Sequence, residues 1–192
     1  MEFLSPRVSI ERSKDRLSVV ISARLPKWQE TLLVAWFLAW LLSGGYIFYS
    51  YLHLPHGGLR QYLLVFLAFW AYFALRIGKA VAWRLKGFES WRLKGGVFTL
   101  KNSIFGLGKA RDHFVENIQD LGPLGRNERS LKWQINESFW VIGGERLVFT
   151  DRGRKFGFGK GLNDKEVGAL LPLLEHAMHR ERGRAEQPAG QP

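Results

Sequence analysis

Cysteine is absent from all 192 residues, which excludes disulfides and any metal or nucleophile chemistry built on thiols. Acidic residues are scarce, with 17 Asp and Glu against 28 Lys and Arg, and the formal charge is +11. The carboxylates fall singly among basic residues, and no Ser, His and acid arrangement of recognisable spacing occurs, so catalysis is not expected. Two histidine pairs, His53 with His56 and His176 with His179, lack the carboxylates and third ligand of a metal centre; no metal or cofactor is expected. The phrase FGFGKG at 156–161 has neither the GxGxxG spacing nor the GK[ST] ending of a phosphate loop, and it follows a strand-like run. Its glycines read as turn formers.

Charge is also missing from residues 31–51, TLLVAWFLAWLLSGGYIFYSY, over about the length an α-helix needs to cross a hydrocarbon core. A second run, YLLVFLAFWAYFAL at 62–75, continues through RIGKAVAW to residue 83. Arg76 and Lys79 there are long enough to snorkel to the headgroups. A soluble core helix keeps a polar stripe, and residues 31–42 have none. Interfacial aromatics at the ends include Trp28 and Trp83, which with Arg76 and Lys79 are the expected membrane anchors. Thirty mostly polar residues precede the first run, so it does not read as a cleaved signal peptide. Ser43, Gly44 and Gly45 offer a small-residue patch for close helix packing, most simply against the second span.

Six basic residues, from Arg7 to Lys27, precede the first span and six, from Arg76 to Lys94, follow or end the second. Arg60 alone lies in the connection. This asymmetry predicts both termini on the cytoplasmic side of a membrane crossed twice. The excess charge suits a domain lying on an anionic leaflet, where each surface cation contributes about 1 kcal/mol. The candidate contacts are Lys86, Arg92, Lys94, Lys101, Lys109 and Arg111, with Arg126, Arg129 and Lys132 in a long polar segment. Tethering to a membrane and the strand-like alternation of the aromatics argue against nucleic acid.

Outside the spans the pattern is β. Residues 8–12 and 17–23 alternate around a Ser-Lys-Asp turn and predict a hairpin within 1–27 that docks on the domain following the second span, since a lone hairpin is marginal in water. After the hairpin of spans at 28–84, the runs FESWRL, VFTLKN, KARDHFV, SFWVIG, RLVFTD and RKFGFG predict antiparallel strands. Between the third and fourth runs the pattern predicts a long loop at 120–137 with one extra strand at 131–135. Asn163 and Glu166 form a capping-box pattern. Val167, Leu170, Leu171, Leu174 and Met178 then make the apolar stripe of a helix, bent at Pro172, that closes a domain at 85–180. Residues 181–192 read as a disordered tail.

This order resembles a group of bacterial membrane proteins in which a two-helix hairpin carries a pleckstrin-homology-like (PH-like) cytoplasmic domain. The matching stretches are VSIERSKDRLSVVISAR, GGVFTLKNSIFGLGKARDHFVENIQDL and ERLVFTDRGRKFGFGKGLNDKEVGALLPLLEHAM. The resemblance implies an α+β membrane protein of the bacterial inner membrane whose domain is similar in fold to lipid-binding domains; the expectation is a module that binds or scaffolds, with anionic lipid headgroups or a membrane-protein partner. A phosphoinositide-type site would fall at the turn of Lys94, Gly95 and Gly96. The alternative is a small structural or assembly subunit of a larger bacterial membrane complex.

Overall fold

The computed structural model describes residues 2–55, 57–125 and 144–186. It is an α+β chain with two long apolar helices, antiparallel sheets and a C-terminal helix. Strands β1 (Glu2–Ser5), β2 (Val8–Ser13) and β3 (Arg16–Ser22) precede helices α1 (Lys27–His53) and α2 (Gly58–Lys86). After them come β4 (Gly87–Lys94), β5 (Val97–Ile104), β6 (Ala110–Phe114), a 3-10 turn, β7 (Ile118–Pro123), β8 (Leu147–Asp151), β9 (Arg154–Phe158) and α3 (Asp164–Glu186). The run SFWVIG, the 131–135 segment and Arg126, Arg129 and Lys132 lie outside the described residues.

The N-terminal strands do not dock on the later ones; they are built into the same sheet. The order β1 to β6 is a single antiparallel meander, and β3 pairs with β4 from Leu17–Leu93 to Ser22–Phe88. The helical hairpin is therefore an insertion between two neighbouring strands. Alternation puts Val8, Ile10, Leu17, Val19 and Ile21 on the inner face beside Trp91 and Leu93, all of them buried. The second sheet, β7-β8-β9, lies across this face. Trp91 and Phe98 of the first sheet meet Phe149 and Phe158 of the second edge to face, with ring centroids 4.9 to 5.9 Å apart. Such pairs add about 0.5–1.5 kcal/mol each to the burial of the rings.

The capping box forms as the sequence predicts. Asn163 Oδ1 accepts the Glu166 N–H (2.8 Å), and the Glu166 carboxylate accepts the Asn163 N–H (2.9 Å). Leu170, Leu174, Ala177 and Met178 then bury one face of α3 in the core. The helix runs to Glu186, so the first part of the expected tail is ordered. Its last turns have partners: Glu181 accepts the Gly96 N–H (3.0 Å), Arg182 donates to the carbonyls of Val115 and Ile118, and Arg184 pairs with Asp15 (3.2 Å).

α1 and α2 are each long and apolar enough to cross a membrane, and only 11% and 22% of their most apolar 18-residue stretches are buried. They pack through small residues. The Trp70 ring fills the space beside Gly44, its Nε1 donates to the Trp40 carbonyl (3.0 Å), and Phe37 lies against Gly78. Gly45 faces open space.

Candidate functional site

The register defines two ends of the β domain. At one end α1 follows β3 after a four-residue connection, α2 runs into β4 without a linker, and the Ala23 N–H bonds the Gly87 carbonyl (3.1 Å). Because Gly87 pairs with Ile104, the β5–β6 turn lies at this end as well. So does the β1–β2 turn, whose Arg7 carbonyl accepts the Ser22 N–H (2.8 Å). The β2–β3 and β4–β5 turns mark the opposite end, under the last turns of α3.

Between the start of α1, the end of α2 and the β1–β2 turn opens a cavity of about 1150 Å³. Arg24, Lys27 and Lys86 line it, all exposed and none with an ion pair to a described residue; Glu30 and Phe105 complete the mouth. Arg7 and Glu166 form its back wall. Glu166, 4% exposed, takes the Ser5 hydroxyl (2.7 Å) and Arg7 Nη2 (3.1 Å), and Arg7 also donates to the Gly161 carbonyl (3.0 Å). This network holds the α3 cap against the N-terminal strands and leaves the three mouth cations to solvent.

The β5–β6 turn carries two bare apolar side chains. Phe105 is 63% and Leu107 80% exposed. Ile104 and Leu107 exchange backbone hydrogen bonds (2.8 and 3.0 Å) around Phe105 at φ 53° and Gly106 at φ 81°. Positive φ at both central positions is the pattern of a type I′ turn, which favours Asn-Gly. A phenylalanine held there costs of order 1–3 kcal/mol in backbone strain.

Of the expected anionic-surface contacts, Lys86 is at the helix end and Lys109 follows the Leu107 turn. Lys101 pairs with Ser90, three residues into β4, on the outer face of the sheet. Arg92 shares that face but lies about 17 Å along β4 from Gly87, and Lys94 about 23 Å, at 3.3 Å per residue. Arg111 pairs with Leu100, whose side chain faces the core, and so emerges on the opposite face at the β6 edge. These cations form no single surface. The Lys94–Gly96 turn lies at the end remote from the helices, with the Gly96 N–H already bound to Glu181.

Among the expected anchors, Trp28 is 65% exposed, and Arg76 and Lys79 are exposed, with Arg76 bonding the Tyr72 hydroxyl (3.0 Å). Trp83 corrects the expectation. It is 4% exposed, packed on Gly87 with Lys160 Nζ 5.6 Å above its ring, because the last turns of α2 are buried against the strands.

FGFGKG does bind an anion, but one of the chain's own. With Gly159 and Gly161 at positive φ, the Gly159 and Lys160 N–H groups point to the Glu89 carboxylate (2.7 and 3.1 Å), which also accepts Trp91 Nε1–H (2.7 Å). Glu89 is 2% exposed. His113, missed in the sequence, is buried between Phe149 and Phe156 and bonds Asp151 through Nδ1 (2.6 Å). Among the described residues no three metal-ligating side chains cluster.

Comparison of the chain with family models, with curated proteins and with solved structures finds no match in any of the three.

Proposed function

We propose that this chain is a non-enzymatic, membrane-anchored binding or scaffolding module: a PH-like cytoplasmic domain held on the surface of a bacterial inner membrane by its two-helix hairpin, both termini cytoplasmic. The observation that carries this reading is the position of the hairpin between paired strands β3 and β4. One connection is four residues and the other has none, so the domain cannot swing away from the bilayer as it would on a flexible linker. The exposure of both apolar helices and the Lys and Arg asymmetry support insertion in this orientation. Two antiparallel sheets closed by one C-terminal helix support the PH-like assignment, with the six-stranded meander as a departure from it.

The alternative, a structural or assembly subunit of a larger membrane complex, draws on the exposed aromatics Phe69, Tyr72 and Phe73 of α2, which are available to another helix as well as to lipid. Affinity purification of the full chain in gentle detergent, with mass spectrometry of what accompanies it, separates the two. A module is recovered alone or with partners that dissociate in salt. Stoichiometric companions that resist salt would replace it with the subunit reading.

A further inference from the structure

Resting on that membrane-anchored reading, we infer that the cavity at the helix ends is a headgroup site for an anionic phospholipid, and that the Phe105–Leu107 turn is set into the same leaflet beside it. Two independent observations converge. The first is charge and place. Arg24, Lys27 and Lys86 surround a volume of about 1150 Å³ at the level where α1 begins and α2 ends, which is the depth of the lipid phosphates if the helices span. Glu30 is the opposing charge at the mouth, and Glu166 is already saturated by Arg7, Ser5 and Asn163. The net balance favours a headgroup whose phosphodiester carries the only charge over a zwitterionic one, whose ammonium would meet the same cations.

The second observation is the turn. Asparagine would occupy the left-handed position at 105 with less strain, yet the chain places an exposed aromatic there and a leucine two residues on. In water those side chains gain nothing. In the interfacial zone both Phe105 and Leu107 are removed from water. The turn borders the cavity through Phe105, so headgroup and apolar contacts are made by one edge of the domain. Arg92 and Lys94, roughly 20 Å farther along β4, lie well beyond a Debye length of about 8 Å and contribute little.

The test uses the full chain in vesicles of phosphatidylcholine with or without phosphatidylglycerol. The absence of native cysteine makes Leu107→Cys a unique labelling site, with Gly95→Cys as the remote control. A fluorophore at 107 should be quenched by spin-labelled lipid and shielded from iodide, and one at 95 should show the reverse. Phe105→Asn, which suits the turn, should leave the melting temperature equal or higher while moving the 107 probe toward water. For the cavity, native mass spectrometry counts retained phosphatidylglycerol. At roughly fivefold per well-placed cation, Arg24→Ala with Lys27→Ala and Lys86→Ala should weaken retention by up to about a hundredfold, and Arg92→Ala with Lys94→Ala should not change it. Iodide access at 107 equal to that at 95, in protein that floats with the vesicles, would overturn the turn assignment and leave the anchored reading intact. Equal retention by the triple variant and the parent would overturn the cavity assignment alone. Protein that fails to float with vesicles at all would overturn the reading on which both rest.

Discussion

The carboxylate of Glu89, near the start of β4, is the anion that the glycine turn at Gly159 cradles, seventy residues away in the chain. It accepts two consecutive backbone N–H groups and the Trp91 indole N–H, and so ties the first sheet to the turn that launches α3. Removing it strands two buried donors and a third that is half-buried. Glu89→Ala should therefore cost about 3 kcal/mol or more, and Glu89→Gln somewhat less, because its amide oxygen remains an acceptor, although its NH2 then faces a donor. Thermal unfolding in detergent followed by near-UV circular dichroism, which reports Trp91, checks this; an unshifted midpoint for Glu89→Ala would refute the role.

Gly44 gives a second prediction. A side chain there meets the Trp70 ring, so Gly44→Val should separate the helices and destabilise the hairpin by about 1–3 kcal/mol, as overpacking does. Gly45→Val, facing open space, should have little effect. Trp70→Ala should partly rescue Gly44→Val in a double-mutant cycle of denaturation in mixed micelles, and strict additivity would show that the two residues do not compete for space.

Ile21 is 2% exposed on the inner face of β3. Ile21→Asp places an unpaired charge among Val19, Trp91 and their neighbours and should lower the melting temperature severely, by the equivalent of 4 kcal/mol or so. A domain that tolerates it would mean the N-terminal strands are dispensable. A piece beginning at residue 85 should likewise not fold, since it lacks three of the six strands of its first sheet.

Glu166 serves as cap, ion-pair partner and hydroxyl acceptor together. Asn163→Ala should cost about 1 kcal/mol, an ordinary cap loss. Glu166→Ala should cost more and also release the β1–β2 turn, seen as faster amide exchange at Val8 and Ser22. If the two substitutions cost the same, the Arg7 and Ser5 contacts add nothing.

Reporter fusions after residues 28 and 100 should both report cytoplasm, from the Lys and Arg asymmetry around the spans. Opposite locations would remove the two-span hairpin.

What was legible in the sequence was local. The apolar runs, the alternation of Leu17, Val19 and Ile21, and the Asn163–Glu166 capping box each specify structure within a few residues, and each forms. β1 was missed because EFLS is too short to alternate and is mostly exposed. β7 was missed because Gly122 and Pro123 read as loop, whereas a bulge with Asp120 at φ 51° lets the strand pair with β8. Trp83 read as an interfacial ring because nothing in its neighbours announces that strands will cover the last turns of α2. The meeting of Arg24, Lys27, Lys86 and Phe105 depends on β3 pairing with β4 across sixty-odd residues, a register that no local pattern encodes.

That register also imposes a schedule on biosynthesis. β1 to β3 leave the ribosome before α1, but the edge of β3 finds its partner only after residues 23–86 have been made, roughly 3–13 s later at typical elongation rates. Both apolar helices emerge in the interval, and Val19 and Ile21 wait longer still for the second sheet that covers them, whose strands lie between residues 118 and 158. On the proposed membrane-anchored reading, the helices are available to the bilayer before the first sheet can close, and a chain that missed the membrane would finish synthesis with its strands ready to pair and its hairpin still in water.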